Sequence, residues 1–244
     1  MMKSISLGLA SCALLSTLLL SGCDITRSIS VPDNAHWTSG KSTVNGDITI
    51  GTEAVVEGDL HTVNGDIHAE AGAHTGQLVT VNGDIHLDHD AQTGELTNVN
   101  GSIQLDQNAV ANNDVTSVNG DISAAAGVRV HGDVTDVNGT ISLCDARVGG
   151  DMQFVNGTLL VGENSQVQGN VTAKKPEFGS SEDAQPPIVV VGPHAVINGT
   201  IVFERPGKLY VSDSAVIHAI NGVTAEKFAG PAPTGVKLPA CAGK

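Results

Sequence analysis

Along most of the chain, aliphatic and polar residues alternate in short bursts, and each burst ends at a glycine-bearing corner. The stretch from Val44 to Thr62 shows the unit. Ile48 and Ile50 alternate with Asp47 and Thr49, the period-2 pattern of a strand with one buried face. Gly51-Thr52-Glu53 turns the chain, and Ala54-Val55-Val56 is a second strand. Glu57-Gly58-Asp59 makes another corner, and Leu60 to Val63 is a third strand. Asn45-Gly46 reads as a left-handed corner, because Asn tolerates that region and Gly enters it without steric cost. Each unit therefore has short sides with Ile, Val and Leu turned inward and polar residues outward.

The unit Val44-Asn45-Gly46-Asp47-Ile48 returns at Val63, Val81, Val99, Val118, Val137 and Val155. The starts lie 19, 18, 18, 19, 19 and 18 residues apart. A fixed period of this kind marks a stacked repeat, in which each unit buries its apolar face only against its neighbours. Asn-Gly is also a strong hairpin signal, so an antiparallel meander is the competing reading. Hairpins explain the constant spacing less simply. The pattern predicts an all-β, single-stranded parallel β-helix, a β-solenoid of roughly nine triangular coils and about 40 Å in length.

Stacking places like residues above like. Asn45, Asn64, Asn82, Asn100, Asn119, Asn138 and Asn156 fall in one column. Their side chains are expected to hydrogen-bond along the axis as amide ladders do. A second register runs through Gly58-Asp59-Leu60, Gly76-Gln77-Leu78 and Gly132-Asp133-Val134. At Asn113-Asp114-Val115 the glycine is replaced, and Asn is expected to keep a left-handed corner there.

The pattern breaks after Thr172 and resumes at Val189 and Val191, with Ala195 to Ile201 repeating the wording of Ala54 to Leu60. The reading divides the chain into an export signal over 1–22, a tether and N-terminal cap over 23–40, the solenoid over 41–225 and a tail or cap over 226–244. A side loop at 173–187 interrupts the solenoid without ending it, and Trp37 reads as a capping plug.

The first segment has Lys3, an apolar run from Ile5 to Leu20, and Leu20-Ser21-Gly22-Cys23. This resembles a bacterial lipoprotein signal with its lipobox. The resemblance implies cleavage before Cys23, lipid on Cys23 and a membrane as partner. A plain secretory signal or a single anchor helix is the alternative, although the run is short for a span of ~20 residues. Asp24 resembles the inner-membrane retention choice of enteric bacteria, and inner versus outer membrane stays open.

Charge and composition narrow the function. The chain carries −14, and removal of Lys3 with the signal takes it to −15. A basic nucleic-acid footprint is absent. One Trp, one Tyr and four Phe leave few stacking platforms for sugars or bases. Of four cysteines, Cys12 departs with the signal, leaving Cys144 and Cys241 beside the lipidated Cys23. A Cys144–Cys241 bridge would pin the tail to the coils and be worth roughly 4–5 kcal/mol by loop closure; two free thiols is the other reading.

Candidate chemistry is mainly acidic. Asp47, Asp66, Asp84 and Asp121 share one column, and Asp59, Glu95, Asp114, Asp133 and Asp151 another. Like charges one coil apart repel by about 0.9 kcal/mol in water, which a calcium ion between coils would relieve. Solvated corners, whose aspartates also bond to local backbone amides, are the favoured reading. His68 and His86 share an outward column and read as surface residues; His74, His89 and His131 are scattered. Zinc-finger spacing, H-E-x-x-H, G-x-S-x-G and a glycine-rich phosphate loop do not occur, and the sequence asks for no cofactor. The coils share their length with hexapeptide acyltransferases, but the aliphatic spacing differs.

The repeated V-x-G-D-[IL] coils resemble the bactofilin solenoids, polymer-forming cytoskeletal proteins of bacteria. The wording TVNGDI is equally similar to exported bacterial solenoids grouped with the adhesins. The resemblance covers about 40–223 and implies a structural role without catalytic residues. Bactofilins are usually cytoplasmic and have no lipobox, and here the chain departs from them. The expected function is a lipid-anchored, envelope-facing solenoid that scaffolds or adheres and is not an enzyme. Its expected partners are the membrane, an envelope protein or a second copy stacked end to end. A glycan-processing or glycan-binding protein using paired carboxylates, and a calcium-stabilised solenoid, are the alternatives.

Overall fold

The computed structural model describes residues 27–176, 185–236 and 238. Among the described residues every regular element is a β-strand, and all 27 belong to one sheet of about ten turns. Each strand lies parallel to its counterparts in adjacent coils. Ile48 sits beside Ile67, Ile67 beside Ile85, Ile85 beside Ile103, and Ile103 beside Ile122. The chain therefore winds round an axis, as the spacing predicts, and the meander is set aside.

Inward side chains make the core. In the coil from Ile48 to Leu60, Ile48, Ile50, Ala54, Val56 and Leu60 are all buried. The same positions repeat upward through Ile67, Ala69, Ala73 and Leu78, then Ile85, Leu87, Ala91 and Leu96. Neighbouring coils stack aliphatic on aliphatic, so each coil is covered by the next, and backbone hydrogen bonds run along the axis.

The coil length varies at two corners, and the Val137 coil is shortened between Leu143 and Arg147, where three residues stand in place of the four between Ile50 and Val55. Three residues separate Val55–Val56 from Leu60–Asn64, but two separate His74–Thr75 from Leu78–Asn82. That missing residue turns a 19-residue coil into an 18-residue one without moving any inward side chain to the outer face.

The corners differ from the sequence reading in conformation. The left-handed residues are Asn34, Glu53, Asp90, Asn108, Asp145, Asn164 and His194, with φ between 48 and 61°. They form the column at the Gly51-Thr52-Glu53 corner, completed by Gly72 and Gly127. Asn45 and its column mates, and Asn113, are not left-handed. The asparagines of the Asn45 column lie at the ends of strands or, at Asn138 and Asn156, within them, which keeps successive side chains pointing the same way. Glycine follows them because the coils approach closely. A Cβ on Gly65 would strike the Gly46 carbonyl, and one on Gly83 the Gly65 carbonyl.

Where threonine replaces the corner aspartate, the strand runs straight through. Val134–Leu143 and Met152–Val161 are continuous across Thr140 and Thr158, and Val196–Phe203 across Thr200. Threonine is β-branched and suits extended backbone, whereas aspartate favours turns.

The ladder is longer than expected at both ends. Ile29–Val31 pairs with Ile48–Ile50 and His36–Trp37 with Val55–Val56, so the stretch read as tether and cap already forms a coil. Trp37 is half-buried against the core beside Val56, with Lys41 Nζ 5.9 Å from its ring. At the other end Ala225–Phe228 pairs with Lys208–Ser212. The side loop leaves after Val171–Ala173 and the chain returns at Ile188–Val191, where Val189 lies over Leu159 in register. Leu238 lies against Gly192 on the flank of the solenoid. Residues 1–22, read as an export signal, and Cys23, Asp24 and Cys241 lie outside the described residues.

Candidate functional site

The Asn column is the most regular surface feature. Asn64 Nδ2 donates to Asn45 Oδ1 at 2.8 Å, and Asn82 to Asn64 at 2.9 Å. Asn100 donates to Asn82 at 2.9 Å and Asn119 to Asn100 at 3.0 Å. Asn138 donates to Asn119 and Asn156 to Asn138, both at 2.8 Å. Every amide in the chain of bonds donates downward and accepts from above, so the bonds polarise one another in one sense. Above Asn156 the register reaches Lys175 instead of an asparagine. Arg205, on the coil beyond, reaches back instead, its guanidinium donating to Asn156 Oδ1 at 3.0 Å and to the Val155 carbonyl at 2.7 Å. Sequence reasoning missed Arg205, whose partner lies 49 residues away across the loop.

The acidic columns bond to backbone. Asp47 Oδ1 accepts from the Asp66 amide, Asp66 from Asp84, and Asp84 from Ser102. Asp121 accepts from Thr140. In the second column Asp59 accepts from Gln77, Asp114 from Asp133, Asp133 from Asp151, and Asp151 from Asn170. Each carboxylate thus takes up an amide of the coil above that the corner leaves outside the strand ladder. One oxygen of each of these carboxylates, Oδ1, is engaged in this way.

One acidic residue points inward. Thr43, Thr62 and Thr80 occupy a buried column where each hydroxyl donates to a corner carbonyl, of Arg27, Gly46 and Gly65 respectively. Asn98 fills the same place and donates to Gly83. Three coils above Thr80, after Asn98 and Ser117, stands Asp136, fully buried, with Ser117 on one side and Phe154 on the other. An ionised carboxylate has no proton to donate there, and neither oxygen of Asp136 finds a partner. Burial pushes its pKa up to about 7; the Val137 and Asn138 amides pull the other way without closing a hydrogen bond, and Asp121 adds a smaller upward push.

Histidine and aspartate converge on the outer face of the neighbouring side. His68 and His86 are register partners with rings stacked 4.9 Å apart at an angle of 6°. His68 Nε2 lies 3.0 Å from Asp88 Oδ1, and His86 Nε2 lies 3.5 Å from the same oxygen. His86 Nε2 is also 3.1 Å from Asp106 Oδ2. Gln104 donates to the other oxygen of Asp106 at 2.9 Å. Burial alone would raise the Asp106 carboxyl, but its bonds to Gln104 and His86 and the charges of His86 and His89 outweigh this and hold it below the usual range. Among the described residues, His68, His86 and Asp88 are the one trio whose metal-ligating atoms all lie within 4.8 Å of one another. The shared column of the histidines was legible; the approach of Asp88 and Asp106 was not.

Cys144 is buried and disulfide-bonded. An open groove of about 680 Å³ near the last coil is lined by Phe203, Arg205, Gly207 and Val223 among others. No helix among the described residues is long and apolar enough to cross a membrane. No protein-family profile, no curated protein and no solved structure matches the chain.

Proposed function

We propose that this chain is a lipid-anchored structural component of the bacterial envelope, a stiff rod that holds or spaces a partner away from the membrane. The observation that carries this reading is the unbroken parallel ladder from Ile29 to Phe228. Solenoid surfaces of this kind present repeated faces for partners rather than a single cleft. Three further features support it. The lipobox-like Leu20-to-Cys23 segment would tether one end of the rod. The strongly acidic surface keeps the rod soluble and off anionic headgroups. The likeness of the repeats to bactofilin and adhesin solenoids points to scaffolding.

Two measurements test it in intact cells. Cys23→Ser should move the protein from the membrane fraction to the soluble one; unchanged membrane partition would remove the anchor. Photo-crosslinking residues placed singly along the rod, at Gln104, Gln153 and Val216, should give discrete protein adducts from at least one position. Adducts from none of them would reject the scaffold.

A further inference from the structure

We propose that His68, His86 and Asp88 form a site for one divalent transition-metal ion of the zinc class, clamping two consecutive coils together. This goes beyond the scaffold reading and does not depend on it.

The donor set comes first. Two imidazole nitrogens with one or two carboxylate oxygens suit zinc, copper or nickel, whereas calcium takes oxygen ligands alone. The spacing comes second. A tetrahedral zinc with bonds of about 2.0–2.1 Å sets its ligand atoms about 3.3 Å apart. Here the Nε2 atoms of His68 and His86 stand 3.0 and 3.5 Å from Asp88 Oδ1, and the three ligand atoms all lie within 4.8 Å of one another. The ligands come from two successive coils, so an ion at their centre would be bound by both at once.

The scaffold under these side chains is rigid. His68 lies between buried Ile67 and Ala69, and His86 between buried Ile85 and Leu87. The backbone amides of Asp88 and Asp106 are tied to the carbonyls of Ala69 and Leu87, both at 2.9 Å. The half-exposed rings retain freedom to swing from parallel stacking into convergence on an ion. The histidine Nε2 protons now given to Asp88 and Asp106 would leave as the metal binds.

The pattern is also local. The coil below has Thr49 in the histidine column, and the coils above have Gln104 and Ser123. Two histidines adjacent in the stack therefore occur once in this column, with the carboxylates that face them.

Calorimetric titration of the full chain with Zn²⁺, using Ca²⁺ as control, tests the site. One equivalent of Zn²⁺ should bind, and affinity should fall at least tenfold in both His68→Gln and His86→Gln. Circular dichroism of each variant checks that the coils remain. Cu²⁺ paramagnetic resonance provides a second measure, with hyperfine coupling to two imidazole nitrogens expected. Absence of Zn²⁺ binding, binding that both variants leave unchanged, or a Cu²⁺ spectrum without imidazole coupling would overturn the site.

Discussion

Asp136 occupies a position built for a hydrogen-bond donor. The hydroxyls of Thr43, Thr62 and Thr80 supply one, and the anion of Asp136 cannot. Its pKa rises from 3.8 to about 7 on folding, so the folded protein holds a proton that the unfolded chain releases. This favours the fold most below the unfolded pKa, and the benefit is lost as pH rises through about 7. A shift of this size corresponds to roughly 4 kcal/mol between the two limits. Urea unfolding of the wild type at pH 5 and pH 8 should show falling stability, and Asp136→Asn should flatten that difference. An equal slope in both proteins would rule out Asp136 as its source. Asn100 offers the opposite case, a residue whose contacts are all satisfied. Asn100→Ala removes a bond down to Asn82 and one up from Asn119. The column is exposed to water, so the loss should be modest, about 1 kcal/mol in the same assay.

At the scale of the coil, the two kinds of corner do different work. The Glu53-type corner needs left-handed backbone and fills it mostly with Asn and Asp, plus Glu53 and His194. The Asn-Gly corner needs room. At Gly101, φ is +138° and a Cβ would meet the Gly83 carbonyl of the coil below. Gly101→Ala should therefore be among the most damaging single changes, costing several times as much as Asn100→Ala next to it; thermal melts of the two variants compare them directly. A Gly101→Ala melt indistinguishable from wild type would mean that the coils can move apart at little cost. Coil length is likewise handled at corners, by two residues or three before the Leu60-type strand, or by three instead of four between Leu143 and Arg147. The strand register survives because the change falls where no ladder position is lost.

Across the whole molecule, stability is built from neighbour-to-neighbour contacts, and long-range ties are few. Arg205 is one, reaching over the side loop to Val155 and Asn156. The disulfide at Cys144 is another. Leu238 already lies on the flank at Gly192, on the route back towards that cysteine. Peptide mapping without reductant should recover Cys144 linked to Cys241, and reduction should lower the melting temperature by removing a long loop closure. A Cys144 peptide linked to Cys23 instead would place the tail elsewhere.

The sequence alone determined the coil. Its period, its inward aliphatics, the Asn column and the resumption after the side loop are all local patterns, and stacking at a constant period converts them directly into position. The acidic columns were equally legible, because Asp47, Asp66 and Asp84 recur at the period itself. Contacts between different columns were decided only by the folded chain. His68 meets Asp88, two positions beyond its own column mate, and Arg205 meets Asn156 over an interrupted coil. The same holds for which corner turns left-handed and for the isolation of Asp136 among Ser117 and Phe154. A repeat fixes what lies directly above each residue. What lies diagonally beside it depends on how far side chains reach and how closely backbones approach, and neither is written in the spacing.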